Sequence, residues 1–266
     1  MDFFLLLANT VILRPYVFVF LAVSLYAARQ LLGWKRTCRL FGITWAVAFI
    51  SEFSSTRIGI PFGDYFYTGS TEGQELYIFN IPFMDSLSFS FLLFASYCVA
   101  LVFVLPHAKI GERRGWLFDP ALRTSWPVAG LTVALFTFSD VIIDPVALQG
   151  ERWFLGKIYG YPHEGVYFGI PLANFAGWAV VGFVSFCLYR WGERGPYKTD
   201  SVPREVINRE LFPGIGLYYG VLAFNLGVTF WIGEVFMGLV GCFIFTPLTA
   251  ALLVTLSRGA TFSRDS

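Results

Sequence analysis

The chain has 266 residues, of which 56% are hydrophobic and only 14% are charged, and its mean hydropathy is +0.63. Ordinary soluble domains are about 25% charged, so this composition excludes a soluble globular protein. It predicts an all-α, polytopic bundle of transmembrane helices, with residues 1–266 as a single integral-membrane domain. The net charge of +1 gives no reason to expect a nucleic-acid partner.

Apolar windows of about 20 residues, the length that crosses a bilayer, predict about seven transmembrane helices. In chain order these are Tyr16–Leu32, Cys38–Ser55, Ser86–Leu105, Trp126–Asp144, Phe168–Arg190, Phe212–Ile232 and Val235–Leu256. The first window is short and could begin before Pro15, so six or eight spans are alternatives.

Lysine and arginine are distributed unevenly between the two sides of these spans. Fifteen of them fall in the first, third and fifth loops and in the tail, and the other four are Arg14, Arg57, Arg152 and Lys157. By the positive-inside rule, the N-terminus is outside and the C-terminus is cytoplasmic. The expected location is the inner, cytoplasmic membrane of the cell.

Two carboxylates stand one helical turn apart at the end of the fourth window, where Asp140 and Asp144 precede Pro145. Residues four apart share one face of a helix. A mid-membrane Asp costs roughly 2.5 to 3.5 kcal/mol on insertion scales, so such residues usually face a bundle interior. Proline pushes the preceding residue out of the α region, so we expect the helix to end at Asp144, at the membrane boundary.

The third and fifth windows open alike, with Phe-x-Ile-Pro-x-x-Asp at residues 79–85 and Phe-x-Ile-Pro-x-x-Asn at residues 168–174. Each motif follows a helix with a late acidic residue, and the separations from Glu52 to Asp85 and from Asp140 to Asn174 are 33 and 34 positions. The pattern predicts a duplicated helical hairpin, made of spans 2–3 and 4–5. In each copy we expect the proline in the first helical turn and the polar residue near an anion-favouring N-terminus.

This topology brings five polar side chains from four helices into the outer half of the bilayer: Glu52, Asp85, Asp140, Asp144 and Asn174. Burial and like charges disfavour the ionised form of a carboxyl group, so Asp140 or Glu52 could donate a proton while ionised neighbours hold a water. The Asp140/Asp144 pair could instead hold Mg²⁺ against a diphosphate, as in a prenyl or lipid transferase. A proton pathway or transporter is the third interpretation.

Several chemistries are excluded or disfavoured by the residues available. Two histidines, His107 and His163, are too few for a multi-histidine di-iron site, and no lysine lies in a span to form a retinal Schiff base. The outer side has few basic residues to meet phosphates, and the one nearest the cluster, Arg57, most simply forms a salt bridge with an acid. We therefore rank acid–base chemistry on a lipid-soluble substrate first, with no metal. An aromatic share of 19% fits both a groove for a long apolar ligand and lipid-facing positions.

Three stretches together resemble one known family. Glu52 followed by Gly-Ile-Pro-Phe-Gly-Asp-Tyr-Phe-Tyr at 59–67, Asp140-x-x-x-Asp144-Pro, and the run from Tyr167 to Trp178 are similar to the CruF-type carotenoid biosynthesis proteins. That family includes carotenoid 1,2-hydratases and bisanhydrobacterioruberin hydratase, and the similarity spans about residues 40–190.

The resemblance implies a lyase that adds water across the terminal C1=C2 double bond of an acyclic carotenoid, without a redox cofactor. Such a reaction needs an acid to protonate C2, an anion to stabilise the cation at C1, and a positioned water. We assign the acid to Asp140 or Glu52, water binding to Asp85, Asp144 and Asn174, and substrate contacts to Arg57, Tyr65, Tyr67 and Trp178. A carotenoid, membrane lipid and other enzymes of the carotenoid pathway are the expected partners.

The orientation makes the first testable prediction. Reporter fusions after Arg36, Arg114 and Arg204 should report the cytoplasm, and fusions near Gly69 and Gly160 should report the outside, because basic loops are retained in the cytoplasm. An inverted pattern would place the acidic cluster in the cytoplasmic half and strengthen the diphosphate interpretation.

Overall fold

The computed structural model describes residues 3–193 and 205–262, and these form a bundle of helices. The helices are α1 (Phe3–Leu13), α2 (Pro15–Leu32), α3 (Trp34–Ile58), α4 (Phe83–Val104), α5 (Pro120–Arg123), α6 (Trp126–Leu148), α7 (Leu172–Glu193), α8 (Phe212–Trp231) and α9 (Val235–Phe262). Arg194, Lys198, Arg204 and Arg264, which enter the orientation prediction, lie outside the described residues.

Six segments within the described ranges are long and apolar enough to cross a membrane: Pro15–Leu32, Phe83–Val104, Pro120–Leu148, Leu172–Glu193, Arg209–Trp231 and Val235–Ser257. The predicted polytopic helical bundle is thereby confirmed, with six such helices rather than about seven. The one predicted span that is not among these six, Cys38–Ser55, is the second in chain order and lies within α3, whose polar residues Arg39, Ser51 and Glu52 lower its hydropathy. α3 still packs along α4 and α7 inside the bundle.

Four helices form a closed ring around the centre of the bundle. α4 packs against α3 and α6, and α7 packs against α6 and α3. α4 is the most enclosed of the six apolar segments, since 78% of its most apolar stretch is buried. α2 and α8 cover one side of α4, and α9 packs against α8, α4 and α6 with only 17% of its most apolar stretch buried. The ring thus brings the ends of α3 and α6 close to the beginnings of α4 and α7.

Pro145 lies inside α6 and does not end it, contrary to the sequence prediction, because α6 continues to Leu148. Proline lacks the N–H that would bond the carbonyl of the residue four positions earlier. That carbonyl belongs to Val141, and it accepts a hydrogen bond from the hydroxyl of Tyr167 at 3.3 Å instead. A side chain from the following loop therefore satisfies the backbone group that the proline leaves free.

The two Phe-x-Ile-Pro motifs share an unusual backbone conformation. Phe79 and Phe168 are the non-glycine residues with positive φ in the described chain, at 57° and 48°, a region that costs L-residues energy. Each lies in a tight turn closed by an antiparallel pair, Ile78 with Ile81 and Tyr167 with Ile170. A duplicated hairpin would produce this match.

The sequence predicted that both prolines of these motifs lie in the first helical turn. In the structure they lie just before their helices instead. Pro82 is the N-cap of α4, and α7 begins directly after Pro171. The tight turn that precedes each proline delays the start of the helix. Asp85 and Asn174 consequently both occupy the third helical position of their helices.

Short antiparallel strands close the two ends of the ring. At one end β1 (Phe66–Tyr67) pairs with β6 (Tyr159–Gly160), and β2 (Tyr77–Ile78) pairs with β3 (Ile81–Pro82). At the other end β5 (Arg113–Phe118) lies between β4 (His107–Ile110) and β7 (Glu205–Ile207). The β1–β6 pair joins the loop after α3 to the loop after α6.

A buried ion pair holds the start of α2 to these loops. Arg14, between α1 and α2, is 1% exposed; its Nη2 lies 2.9 Å from Oε1 of Glu75, which is also 1% exposed. Arg14 also donates from Nη1 to the carbonyl of Leu155 at 2.6 Å. One guanidinium therefore connects three segments that are distant in sequence.

The second prediction concerns this ion pair. Glu75→Gln should lower the free energy of unfolding by about 3–5 kcal/mol, because breaking a buried pair leaves an uncompensated charge. Unfolding of the full chain in mixed detergent micelles measures this. Glu234→Gln is the matched control, since Glu234 pairs with Arg152 in a bridge that is about one-third exposed or more on each side, and such pairs contribute about 1 kcal/mol at most. Equal losses for the two variants would contradict the structural role of Arg14.

Candidate functional site

A cavity of about 150 Å³ lies where α3 and α6 end and α4 and α7 begin. Its polar lining consists of Glu52, Asp85, Asp144, Asn174, Tyr65, Tyr67, Tyr159 and Tyr161, together with Ser88 and Asn225. The remaining lining is largely apolar and continues towards α2 and α8, through Tyr16, Val17, Phe20, Phe91, Leu92 and Val221. The cavity therefore combines an acidic end with an apolar side.

Glu52 forms the first polar group of this cavity. It lies in the penultimate turn of α3 and is 3% exposed. Its Oε1 accepts a hydrogen bond from the Tyr67 hydroxyl at 3.1 Å, and its Oε2 accepts one from the Ser86 hydroxyl on α4. The Tyr67 hydroxyl is also in contact with the Asp85 carboxyl group. Two hydroxyl donors from different elements thus fix the orientation of the Glu52 carboxylate.

Asp140, Asp144 and Asn174 form the second polar group. The Asn174 side-chain nitrogen donates to Oδ2 of Asp140 at 2.7 Å and to Oδ2 of Asp144 at 2.6 Å. The two carboxyl groups are themselves in hydrogen-bonding contact. Asp140 is fully buried, and its Oδ1 has no hydrogen-bond partner among the described residues. Asp144 lines the cavity, whereas Asp140 lies behind it.

Four tyrosines cover the acidic end, two from each of the loops joined by the β1–β6 pair. Tyr65 and Tyr67 come from one loop, and Tyr159 and Tyr161 from the other. Burial, followed by the nearby charge of Glu52, raises the pKa of Tyr67 well above its usual value. Burial and then Asp144 do the same for the pKa of Tyr159. The phenols of Tyr67 and Tyr159 therefore stay neutral; the Tyr67 hydroxyl donates to the Glu52 carboxyl group, and the Tyr159 hydroxyl donates to the backbone carbonyl of Asp144 at 3.4 Å.

Stacked aromatic rings line the cavity one helical turn further into the bundle than Asp85 and Asn174. The rings of Trp178 and Phe89 are stacked with centroids 4.4 Å apart, and Phe136 lies 4.8 Å from Trp178. Phe62 packs against Gly177, where an added Cβ would lie 2.2 Å from its ring. A glycine is needed at this position because the loop after α3 crosses α7 in direct contact.

The structure brings seven of the nine residues selected from the sequence to the cavity wall: Glu52, Asp85, Asp144, Asn174, Tyr65, Tyr67 and Trp178. Asp140 reaches the cavity only through Asp144 and Asn174. Arg57 does not reach the cavity, and among the described residues it does not form the expected salt bridge with an acid. Its exposed guanidinium lies 3.5 Å over the ring of Phe53 and donates to Oδ1 of Asn80 at 2.9 Å, because it folds back along the last turn of α3.

Sequence reasoning did not select Ser86, Tyr159 or Tyr161. The signal for the tyrosines is a Tyr-x-Tyr pattern in both outer loops, at 65–67 and 159–161. Ser86 carries no such signal, since it is one of several small polar residues in α4.

The position of the Asn174 amide also bears on the alternative in which Asp140 and Asp144 hold Mg²⁺. Its nitrogen donates to one oxygen of each of these two carboxyl groups, so a hydrogen-bond donor already contacts both members of the pair. Among the residues that the structure describes, no group of three or more His, Cys, Asp or Glu side chains is placed to hold a metal ion.

Comparison with known proteins identifies related sequences. A family model described as carotenoid biosynthesis protein matches residues 11–248. The chain is also similar to a bisanhydrobacterioruberin hydratase from Haloarcula japonica, with 27% identity over 178 residues that cover 63% of this chain and 52% of that protein. The chain thus matches about half the length of this curated relative. No solved structure matches it.

The contact between Phe62 and Gly177 makes the third prediction. Gly177→Ala should destabilise the protein by about 1–3 kcal/mol, the usual cost of overpacking, because the methyl group would displace the ring that lines the cavity. Gly216→Ala on α8 is the control, since no atom lies within 4 Å of its added Cβ. Its helix propensity should improve by up to about 1 kcal/mol. Unfolding of both variants in detergent measures the difference, and equal stability would contradict the close contact.

Proposed function

The chain belongs to the carotenoid biosynthesis protein family, and we propose that it is an enzyme that adds water across the terminal C1=C2 double bond of an acyclic carotenoid. Besides the family, the observation that carries this proposal is the cavity itself, whose wall contains carboxyl groups, tyrosines and stacked aromatic rings. Hydration of an alkene needs an acid, a site that tolerates a carbocation, and a held water. The proposed enzyme is a lyase that works without a redox cofactor.

The proposed proton donor is Asp144. Two carboxyl groups in contact cannot both ionise at low cost, so such a pair holds one proton between them. Asp144 is the member of the pair that lines the cavity, and Asp140 shares the proton from behind. The Asn174 amide binds one oxygen of each carboxyl group, which leaves their other oxygens for the shared proton and the substrate.

Protonation of C2 leaves a tertiary cation at C1, and the aromatic part of the cavity wall suits such a species. The faces of Trp178 and Phe89 carry the negative part of the aromatic quadrupole, which attracts a cation within about 6 Å of the ring centre. The Glu52 carboxylate supplies a full negative charge from the α3 side. These groups are already in place before the reaction, so they stabilise the developing charge without rearranging.

Water then attacks C1, and its extra proton passes to Glu52. Tyr67 and Asp85 border Glu52 and are placed to hold that water by hydrogen bonds. The balance is one alkene plus one water giving one tertiary alcohol. Asp144 loses a proton to C2, Glu52 gains one from the water, and transfer between the two acids through the hydroxyls of the cavity restores the starting state.

The size of the cavity indicates how much of the substrate it takes. A whole small-molecule ligand usually occupies roughly 300–1,000 Å³, whereas this cavity has about 150 Å³. We propose that only the carotenoid end group enters, while the polyene follows the apolar lining between α2, α4 and α8 into the bilayer. The proposed location is the inner membrane, where lipid-dissolved intermediates pass between pathway enzymes.

The function is tested by expressing the chain in cells that accumulate acyclic carotenoids. The pigments should gain the mass of one water and a tertiary hydroxyl group, as measured by mass spectrometry of the extract. Chelation of magnesium should leave the product yield unchanged. A pigment profile that stays the same with every acyclic precursor would contradict hydration, and loss of activity on chelation would favour a metal-dependent transferase.

The fourth prediction tests which acidic residue donates the proton and which accepts one. Asp144→Asn and Glu52→Gln should each reduce turnover by about 10²-fold or more, the usual contribution of general acid–base catalysis. Asp140→Asn, which keeps its bond to Asn174 but removes the shared proton, should reduce turnover less. Asp64→Asn is the matched control, because Asp64 is exposed and does not line the cavity. Near-full activity of a folded Asp144→Asn protein would move the donor to Glu52 or Asp85.

A further inference from the structure

Three arginines contact one carboxylate at the end of the bundle opposite the cavity. Arg36 and Arg39 lie in the first turns of α3, Arg123 ends α5 just before α6, and Glu193 is the last residue of α7. Arg36 donates from Nε to Oε2 of Glu193 at 2.9 Å, and Arg39 and Arg123 also form ion pairs with Glu193. We call these four residues the arginine cluster.

The charges of the arginine cluster do not balance. Within the described part of the chain, Glu193 is the carboxylate paired with all three guanidinium groups, so the cluster carries two excess positive charges. The C-terminus of α7 offsets only about half a charge, and the N-termini of α3 and α6 add positive character of similar size. Because the side chain of Arg123 is only 2% exposed and that of Glu193 7%, water screens this excess poorly.

Among the residues that the structure describes, three hydrogen-bond donors in the arginine cluster and beside it lack partners. They are Nε of Arg39, Nε of Arg123 and the hydroxyl of Tyr189, all buried and unbonded among the described residues. Tyr189 lies one turn before Glu193 on α7, and its ring is 5.4 Å from the Arg39 guanidinium. Unmet donors beside excess positive charge indicate that an acceptor with negative charge belongs here.

The position of the arginine cluster suits an anion at the membrane surface. α3 and α6 begin here and α7 ends here, so the cluster lies at the boundary of the segments Pro120–Leu148 and Leu172–Glu193. Arg36 and Arg39 keep 28% and 22% of their side chains exposed, which leaves a route to the guanidinium groups. Planar guanidinium groups match phosphate oxygens in geometry and charge.

We propose that the arginine cluster binds a phosphate group, and that an anionic lipid headgroup supplies it. Basic pockets between transmembrane helices at the bilayer surface bind such headgroups. The phosphate would bond the free guanidinium N–H groups, offset the excess charge and tie α3 to α6 and α7. This site is separate from the cavity, which lies at the other ends of the same helices.

The test measures thermal unfolding of the full chain in a neutral detergent during titration with phosphatidylglycerol, phosphatidylcholine or inorganic phosphate. Phosphatidylglycerol should raise the unfolding midpoint in a saturable way, and phosphatidylcholine should not. Arg36→Gln should weaken the apparent affinity by about tenfold, because it removes one charge-assisted contact. Glu193→Gln should strengthen it, because it leaves all three arginines uncompensated. Lys35→Gln, an exposed neighbour, is the control and should change neither.

Arg36→Gln and Glu193→Gln should change the affinity for phosphatidylglycerol in opposite directions. This difference distinguishes a binding site from a structural ion pair. A structural pair would make Arg36→Gln and Glu193→Gln both destabilising, with no change in lipid affinity, and that result would overturn the proposal. Equal effects of phosphatidylcholine and phosphatidylglycerol would overturn it as well. A midpoint increase with inorganic phosphate as large as with the lipid would support the phosphate site and identify free phosphate as its source. If Glu193→Gln does not fold without added anion, recovery of folding with phosphatidylglycerol supports the site, and no recovery overturns it.

Discussion

The amide of Asn174 is the interaction on which the cavity depends. It holds two carboxyl groups of α6 from the first turn of α7, so it fixes both the register of these helices and the separation of the two acids. In a bundle surrounded by lipid, polar groups of this kind must find partners within the protein. The same requirement explains Tyr167, which bonds the carbonyl that Pro145 leaves free and so allows α6 to continue past Asp144.

The four helices of the ring form two hairpins of similar construction whose sites differ in chemistry. One hairpin presents Glu52 with hydroxyl donors from Ser86 and Tyr67, and the other presents Asp140 and Asp144 with an amide donor. In the first hairpin the Tyr67 hydroxyl contacts the carboxyl groups of both Glu52 and Asp85, whereas in the second Asp140 and Asp144 contact each other directly. Divergence of two such hairpins would be a direct route to the proposed base and the proposed proton donor at one cavity.

Sequence patterns predicted the helices well, because apolar windows and proline positions report local preferences. They also predicted the convergence of Glu52, Asp85, Asp144 and Asn174, since all four lie at helix ends on the same side. They were wrong about Pro145 and Arg57, whose behaviour depends on partners that no local pattern shows, the Tyr167 hydroxyl and the Phe53 ring. The Arg14–Glu75 pair and the arginine cluster were missed for the same reason: their members are distant in sequence and meet only in the folded chain.

The depth of the cavity follows from the reaction proposed for it. In the proposed reaction a carotenoid would reach the site from the hydrocarbon and water from the membrane surface, so the acids would have to lie where the two solvents meet. Helix ends are at this depth, and the acids of the cavity occupy the last turns of α3 and α6 and the first turn of α4. The tyrosines of the two loops cover the acidic end of the cavity, so their hydroxyl groups would meet the water that the proposed reaction consumes. A site at the centre of the bilayer would bind the polyene equally well but would lack the second substrate.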